Sequence, residues 1–184
     1  PVFVQINVVT PLDSFCIKNT DNGYNIFKCS SCRLEFTHPF PTPDQLDHFY
    51  ADYADPRAAD PVVAANARRN IEALQEFDLQ PASCLLDYGS GKGAFTQQSD
   101  SAFWTNYDAY TRDNDKSVLR ENHYDWITLW GVLEHVTDPL HLLRQLNSYL
   151  KPTGYLALTT VSSELTIPYQ HKPPEHVTYW TRNA

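Results

Sequence analysis

The segment LLDYGSGKG, residues 85–93, combines residue types that bind nucleotide-like ligands. Its two leucines are typical of the end of a buried strand, and Asp87 places a carboxylate at the strand tip. Three glycines then follow at alternate positions: Gly89, Gly91 and Gly93. Because glycine has no Cβ, the backbone can approach a ligand closely there. The segment predicts a nucleotide-type pocket.

Spacing separates the ligands that use such a turn. A Walker phosphate loop needs glycine at the position of Leu86, and Ser or Thr where Gly93 stands, so that class is excluded. The dinucleotide fingerprint G-x-G-x-x-A does fit, and Asp108 lies where a ribose-binding acid belongs. The turn alone therefore leaves NAD open as a ligand. A glycine-rich strand-to-helix turn without any ligand is the structural alternative.

Strands and helices that could position this turn are indicated on both sides of it. A strand is expected over Phe103 to Asp108, and a short apolar run suited to a buried strand ends at Leu129 and Trp130. Asp138 and Pro139 then begin a helix, which stops near residues 151–154, and a β-branched strand resumes over Tyr155 to Val161. Strand, helix and strand form the unit of a parallel sheet.

Two helices are predicted before the glycine turn. Thr42-Pro43-Asp44-Gln45 fits a capping box with proline at the first helical position. Asp60-Pro61 repeats this start signal ahead of a second apolar stripe. Tyr50 and Tyr53 on the first helix could face a pocket, although aromatic residues at helical spacing are more often core. We expect residues 41–80 to form a helical linker or cap.

The glycine turn with Asp87, together with YDWITLWGVLEHVTDPLHLLRQLNSYLKPTGYLALTT over residues 124–160, resembles class I S-adenosylmethionine-dependent methyltransferases. The resemblance implies an α/β fold, a Rossmann-like doubly wound and mostly parallel sheet over residues 81–184. It also implies that Asp87 and the three glycines surround the methionine part of S-adenosylmethionine. Asp108 would bind the ribose hydroxyls, and the strand-tip residues Leu129 and Trp130 would lie near the cofactor.

The LEH tripeptide at Leu133 to His135 supplies candidate catalytic groups. Methyl transfer from a sulfonium needs positioning and, for a poor nucleophile, removal of a proton. His135 is the base candidate because the unperturbed histidine pKa lies near working pH, and Glu134 could orient or replace it. His176 in PPEHVTYWT resembles a His-aromatic-Thr stretch of the family and is a further candidate. The structural alternatives are a packed or helix-capping imidazole for His135 and an exposed loop residue for His176.

A Cys-x-x-Cys knuckle at Cys29 and Cys32 suggests a metal site near the N-terminus. Such knuckles usually come in pairs around zinc, but the first pair here has only Cys16. Asp13 could complete a mixed site with it, and His38 is another possible ligand. The alternative is a degenerate ribbon that folds without metal.

The knuckle, followed by Phe-x-His-Pro and an aromatic-rich helix, resembles the N-terminal module of a methyltransferase subgroup that includes sugar C-methyltransferases. The resemblance implies a small zinc-ribbon-like module over residues 1–40 that helps to form the acceptor site. The incomplete first pair departs from that pattern, which leaves the metal and the substrate class open.

Composition limits the substrates. The chain has 184 residues and a net charge of -8, and no run of Lys or Arg suggests a phosphate-tracking surface. We expect no nucleic-acid partner, a small-molecule acceptor and, without an apolar span or signal peptide, no membrane partner and a cytoplasmic location.

The region after Asp108 is short for a complete enzyme of this class. Only 16 residues run from Ala109 to Tyr124, which hardly accommodates a helix and a third strand. The chain also stops at Ala184, before the last helix and strand pair of the family. The alternative function is a degenerate, non-catalytic relative that keeps the fold as a binding or interaction module.

Overall fold

The structure, a computed structural model, describes residues 14–51, 61–75, 77, 83–99, 104–111, 115–164 and 171–182. Its strands are β1 (Ser14–Asn19), β2 (Asn25–Cys29), β3 (Glu35–His38), β4 (Leu85–Tyr88), β5 (Trp104–Tyr107), β6 (Tyr124–Trp130), β7 (Leu150–Thr159) and β8 (Thr178–Tyr179). Its α-helices are α1 (Pro43–Ala51), α2 (Pro61–Gln75) and α3 (Pro139–Tyr149).

The chain divides into two compact units. The antiparallel unit comprises Pro1–Ala51, Gly131–Leu142 and Thr159–Ala184, and the parallel unit comprises Asp52–Trp130 and Leu143–Leu158. These boundaries differ from the division into residues 1–40, 41–80 and 81–184 that the sequence suggests. The difference arises because β3 pairs with β8, so that distant segments of the chain share one sheet.

The parallel unit is built on a sheet in the order β5-β4-β6-β7. Strand β4 pairs in parallel with β5 and with β6, Leu85 lying opposite both Trp104 and Trp126. Strand β7 also runs parallel to β6, since His123 N donates to Tyr149 O at one end of the two strands and Gly131 N donates to Thr159 O at the other. This arrangement confirms the predicted α/β, Rossmann-like class.

The core of the parallel unit joins α2 to this sheet. Buried residues of the cluster are Ala67, Leu74, Leu85, Phe95 and Trp126, and Ile71, Trp104, Trp130 and Ala157 pack against them. Each large side chain removed from water in this way contributes about 1.5–3 kcal/mol before entropy is counted. The apolar stripe predicted for α2 therefore faces the sheet that carries the glycine turn.

Strand β7 begins earlier than the sequence indicates. We expected a break over residues 151–154 and a strand from Tyr155, but β7 starts at Leu150 and includes both Pro152 and Gly154. Proline is tolerated in this position because, among the described strands, β7 is the last of the sheet order, and an edge strand does not need every backbone donor for its ladder. Gly154 lies close to the carbonyl oxygens of Tyr124 and Asp125.

The antiparallel unit contains a sheet in the order β1-β2-β3-β8. The cysteine knuckle makes the turn between β2 and β3, where Arg33 takes a left-handed φ of 66°. Helix α1 begins with the predicted capping box: Thr42 N donates to Gln45 Oε1 at 2.8 Å and Gln45 N donates to Thr42 Oγ1 at 3.2 Å. Asp138 likewise caps α3, accepting from His141 N at 2.9 Å.

The region between β5 and β6 is short, as its sequence predicts, and lacks room for both a helix and a third strand. Within residues 108–111 and 115–123 the structure has one short helix, a 3-10 turn at Lys116–Val118, and no strand. A complete crossover helix with a third strand is therefore not formed by these residues. None of the helices in the described parts of the chain has the length and apolar character needed to span a membrane.

Candidate functional site

The glycine turn after β4 has a backbone conformation that glycine adopts readily. Three glycines in it adopt left-handed φ angles of 73°, 53° and 75°: Gly89, Gly91 and Gly93. Other residues reach this region only at a cost of about 1–2 kcal/mol each. Gly89 N and Ser90 N donate to Tyr107 O at 2.7 and 3.1 Å, which ties the turn to the end of β5.

Asp87 is buried at the end of β4, with 2% of its surface exposed. Thr128 on β6 donates its hydroxyl to Asp87 Oδ1 at 2.8 Å. The pKa of Asp87 is raised to about 7. Burial is the largest cause, the charge of Asp108 adds to it, and the Thr128 hydrogen bond opposes it. A cationic ligand group would relieve this, because it would replace lost hydration and offset the repulsion between the two acids.

Asp108 follows β5 and faces the same turn. Its Oδ2 accepts from Gly91 N and its Oδ1 from Tyr110 N, both at 2.8 Å. An ionised carboxylate has about four acceptor positions, so two backbone bonds leave capacity for ligand hydroxyls. Asp108 therefore holds the glycine turn and remains suited to a ribose.

Leu129 and Trp130 lie at the end of β6, as predicted. Leu129 is fully buried, and Trp130 packs its ring on Phe95 at a centroid distance of 5.3 Å. The buried Nε1 of Trp130 finds no hydrogen-bond partner among the described residues. An orphaned donor of this kind is what a polar cofactor atom would satisfy.

These residues fit S-adenosylmethionine. Asp87 could hold its amino group, Asp108 its ribose hydroxyls, and the left-handed glycines give the backbone a close approach. The turn runs into a 3-10 helix at Thr96–Gln98, and an α-helix is not formed over residues 89–99. The whole of this candidate cofactor site lies in the parallel unit.

The three predicted catalytic residues come together in the antiparallel unit. One ligand-type atom from each of Glu134, His135 and His176 lies within 4.8 Å of the others. The two imidazole rings meet edge to face at 4.9 Å. Glu134 and His176 are buried, which excludes the exposed-loop alternative for His176.

Backbone contacts hold this cluster in place. Val177 N donates to Glu134 O at 2.6 Å, and Thr178 Oγ1 donates to Leu133 O at 3.4 Å. The Glu134 carboxylate accepts from Thr160 Oγ1 at 2.9 Å, and burial raises the pKa of this group above its ordinary value. The LEH tripeptide is thus fastened to the segment that carries His176.

The tautomer of His135 follows from its neighbours. Nδ1 lies 2.8 Å from the carbonyl oxygen of Glu175 and 2.8 Å from Tyr50 Oη. A carbonyl oxygen can only accept, so Nδ1 carries a proton and donates it. In the neutral ring the lone pair is then on Nε2, where it can act as a base or bind a metal.

The cysteines are not gathered into a ligand set within the part of the chain that the structure describes. Cys29 is buried in the knuckle, where Cys32 N approaches its Sγ at 3.5 Å. Burial raises the pKa of Cys29, but hydrogen bonds from the backbone of Cys32, Ser31 and Arg33 and from the Cys32 thiol lower it, and the net pKa is below its ordinary value. Cys16 instead donates from its exposed thiol to Asn19 Oδ1 at 3.3 Å. Asp13 lies outside the described residues.

Several site residues are not identified by sequence reasoning alone. Thr128 has a readable signal, a hydroxyl inside the apolar run of β6, yet only the fold brings it to Asp87. The sequence allows Tyr50 to be a pocket residue or a core residue, and in the structure its hydroxyl contacts His135. Thr160 and the Glu175 carbonyl have no sequence signal, because their roles depend on long-range contacts.

The parallel sheet, the glycine turn and its two acids agree with the fold and the turn that a class I S-adenosylmethionine-dependent methyltransferase is expected to have. The methyltransferase-domain family matches residues 59–184, more than half of the chain. The chain belongs to that family, which confirms the methyltransferase relationship predicted from the sequence.

No curated protein matches the chain significantly. Among solved structures it is similar to the trans-methyltransferase CalH, determined as a complex with SAH, at 16% identity and a TM-score of 0.34. The match covers 64% of this chain and 40% of CalH.

Proposed function

We propose that this protein transfers a methyl group from S-adenosylmethionine to a small-molecule acceptor. The observation that supports it best is the buried Asp87 carboxylate beside three left-handed glycines, within a chain of the methyltransferase-domain family. The net charge of -8 disfavours a polyanionic acceptor such as nucleic acid.

The proposed site residues have two roles, cofactor binding and proton transfer. Bound S-adenosylmethionine would supply an electrophilic methyl group on its sulfonium. Asp87 and Asp108 hold the cofactor through its amino and ribose groups. His135 would accept the proton that the acceptor atom loses, because Nδ1 donation to the Glu175 carbonyl places the lone pair of the neutral ring on Nε2.

A second candidate is a non-catalytic member of the family. Two short 3-10 helices favour it, one after β4 and one between β5 and β6. Longer α-helices at these places would cover more of the faces of the sheet. Such a protein would use the fold to bind a ligand or partner without turnover.

Calorimetric titration with S-adenosylmethionine and S-adenosylhomocysteine tests the proposal. Asp87→Asn should weaken binding by about 10–100-fold, since a hydrogen bond to a charged group contributes about 1.5–3 kcal/mol. The matched control is Asp138→Asn, an exposed N-cap where asparagine caps as well as aspartate.

Equal affinity of the Asp87 variant and the wild type would contradict the cofactor assignment. Absence of binding to the wild type at millimolar ligand would end the enzyme proposal, and a parallel titration with NAD tests the dinucleotide alternative. Binding without methylation of any acceptor in a small-molecule panel would favour the non-catalytic candidate.

A further inference from the structure

Three potential metal ligands converge in the antiparallel unit, in what we call the Glu-His-His group: Glu134, His135 and His176. Glu134 is 5% exposed and His176 8% exposed, so both side chains are shielded from bulk water. Two imidazoles and one carboxylate form the donor set of many zinc and non-haem iron sites. The group therefore has the chemistry of a transition-metal site.

The surroundings of the group also match such a site. Metal-bound histidines usually donate their other ring N–H to a carbonyl or carboxylate, and ligating carboxylates accept outer hydrogen bonds. Here His135 Nδ1 meets the Glu175 carbonyl at 2.8 Å, and Thr160 donates to Glu134 Oε2 at 2.9 Å. Oε1 of Glu134 and Nε2 of His135 then carry lone pairs of the kind that bind an ion.

We propose that the Glu-His-His group binds one divalent transition-metal ion, of the zinc or ferrous class. Bonds of about 2.0–2.2 Å would draw the three ligand atoms closer together, and water or an oxygen or nitrogen of a ligand would fill the open positions. Magnesium and calcium are disfavoured because they prefer all-oxygen ligands. The knuckle at Cys29 and Cys32 is not part of this group.

Metal binding goes beyond methyl transfer and does not rest on it. A nitrogen that ligates an ion cannot also accept a proton, so His135 acts as either a base or a ligand at a given moment. With the ion bound, acidification of an acceptor hydroxyl would come from the metal as a Lewis acid.

Titration of chelator-treated, tag-free protein with Co²⁺ and Zn²⁺ tests the proposal. Calorimetry measures the binding of both ions, and the visible spectrum reports the coordination of cobalt. We expect one ion per chain. His176→Ala and Glu134→Gln should each weaken binding by about 10–100-fold or more, and Thr160→Val by about 10–100-fold. The control His141→Ala removes an exposed histidine of α3 and should leave affinity unchanged.

Competition by the knuckle is removed with the double variant Cys29→Ser and Cys32→Ser, which should still bind one ion without a thiolate signature in the cobalt spectrum. Loss of binding in that variant, or equal affinity in the wild type and Glu134→Gln, would overturn the proposal. Glu134→Gln decides the matter if His176→Ala fails to fold, because the amide oxygen can still accept from Thr160 and circular dichroism verifies the fold.

Titration with S-adenosylmethionine on the same samples keeps the two proposals apart. Cofactor binding without cobalt binding overturns the metal site alone. Cobalt binding without cofactor binding overturns methyl transfer alone.

Discussion

Burial makes the ionisation of Asp87, just before the glycine turn, sensitive to a charged ligand group. The influences on its pKa are burial, the Thr128 hydroxyl and the charge of Asp108, and none of them is a cation. The ionised carboxylate is therefore costly in the free protein and becomes favourable when an ammonium group binds. This is the physical link between a local motif and the proposed recognition of the cofactor.

Stability should depend on pH through Asp87. Its pKa is raised from 3.8 to about 7, so between these values the folded protein holds a proton that the unfolded chain has released. The free energy of unfolding should fall as pH rises through this window, by up to about 4 kcal/mol, and level off above it. Urea unfolding at several pH values measures this slope.

Asp87→Asn should remove that slope. The variant is expected to be more stable than the wild type at pH about 8 and similar to it at pH about 4, because asparagine does not titrate. An unchanged slope in the variant would show that Asp87 titrates normally.

His135 belongs to the residue scale as well. His135→Gln should reduce the rate of methyl transfer by about 10²–10⁴-fold, the usual contribution of a general base, while cofactor affinity stays constant. The measurement is turnover with an identified acceptor, and His141→Gln is the matched control. Equal rates in His135→Gln and the wild type would remove His135 as the base.

At the scale of elements, β7 shows how tertiary contact overrides a local breaker signal. Residues 151–154 contain proline and glycine, which normally end regular structure, yet β7 runs through them. Position 154 favours glycine because a side chain there would collide with the neighbouring strand: an added Cβ would lie 2.9 Å from Tyr124 O. The glycine marks close strand packing instead of a turn.

Gly154→Ala should therefore destabilise the parallel unit by about 1–3 kcal/mol, the usual cost of overpacking. Gly23→Ala is the comparison, since Gly23 has a left-handed φ of 84° but nothing within 4 Å of an added Cβ. Denaturant unfolding monitored in each unit separates steric overlap from backbone strain. A neutral effect of Gly154→Ala would mean that β7 shifts freely away from β6.

At the scale of the whole molecule, the functional groups divide between two units. The candidate cofactor residues belong to the parallel unit, and the Glu-His-His group belongs to the antiparallel unit. The antiparallel unit assembles three separate chain segments, because β8 pairs with β3 of the N-terminal sheet and also contacts the LEH tripeptide. Binding of S-adenosylmethionine and binding of a metal ion are therefore expected to protect different units.

Hydrogen exchange with S-adenosylmethionine should report this division. Ligand binding raises the free energy of opening in the unit that holds the ligand, so amides of residues 85–93 and 104–108 should slow the most. Amides of residues 14–38 serve as the internal reference. Stronger protection in that reference segment would place the cofactor elsewhere.

The sequence by itself determined the local features. Left-handed glycines, helix caps at Thr42 and Asp138, and a parallel strand-helix-strand unit all follow from short-range sterics, hydrogen bonding and periodicity. The same local signals sufficed to predict Asp87 and Asp108 beside one turn. They also sufficed to anticipate the short region before β6.

The tertiary structure alone decided which distant groups meet. The pairing of β3 with β8, the bond from Thr128 to Asp87 and the meeting of His135 with His176 and Tyr50 join residues 41 to 144 positions apart. Such contacts arise from the global packing of apolar faces, and no period or cap in the sequence encodes them. The chemistry of each residue was readable from the chain, while its partners were set by the fold.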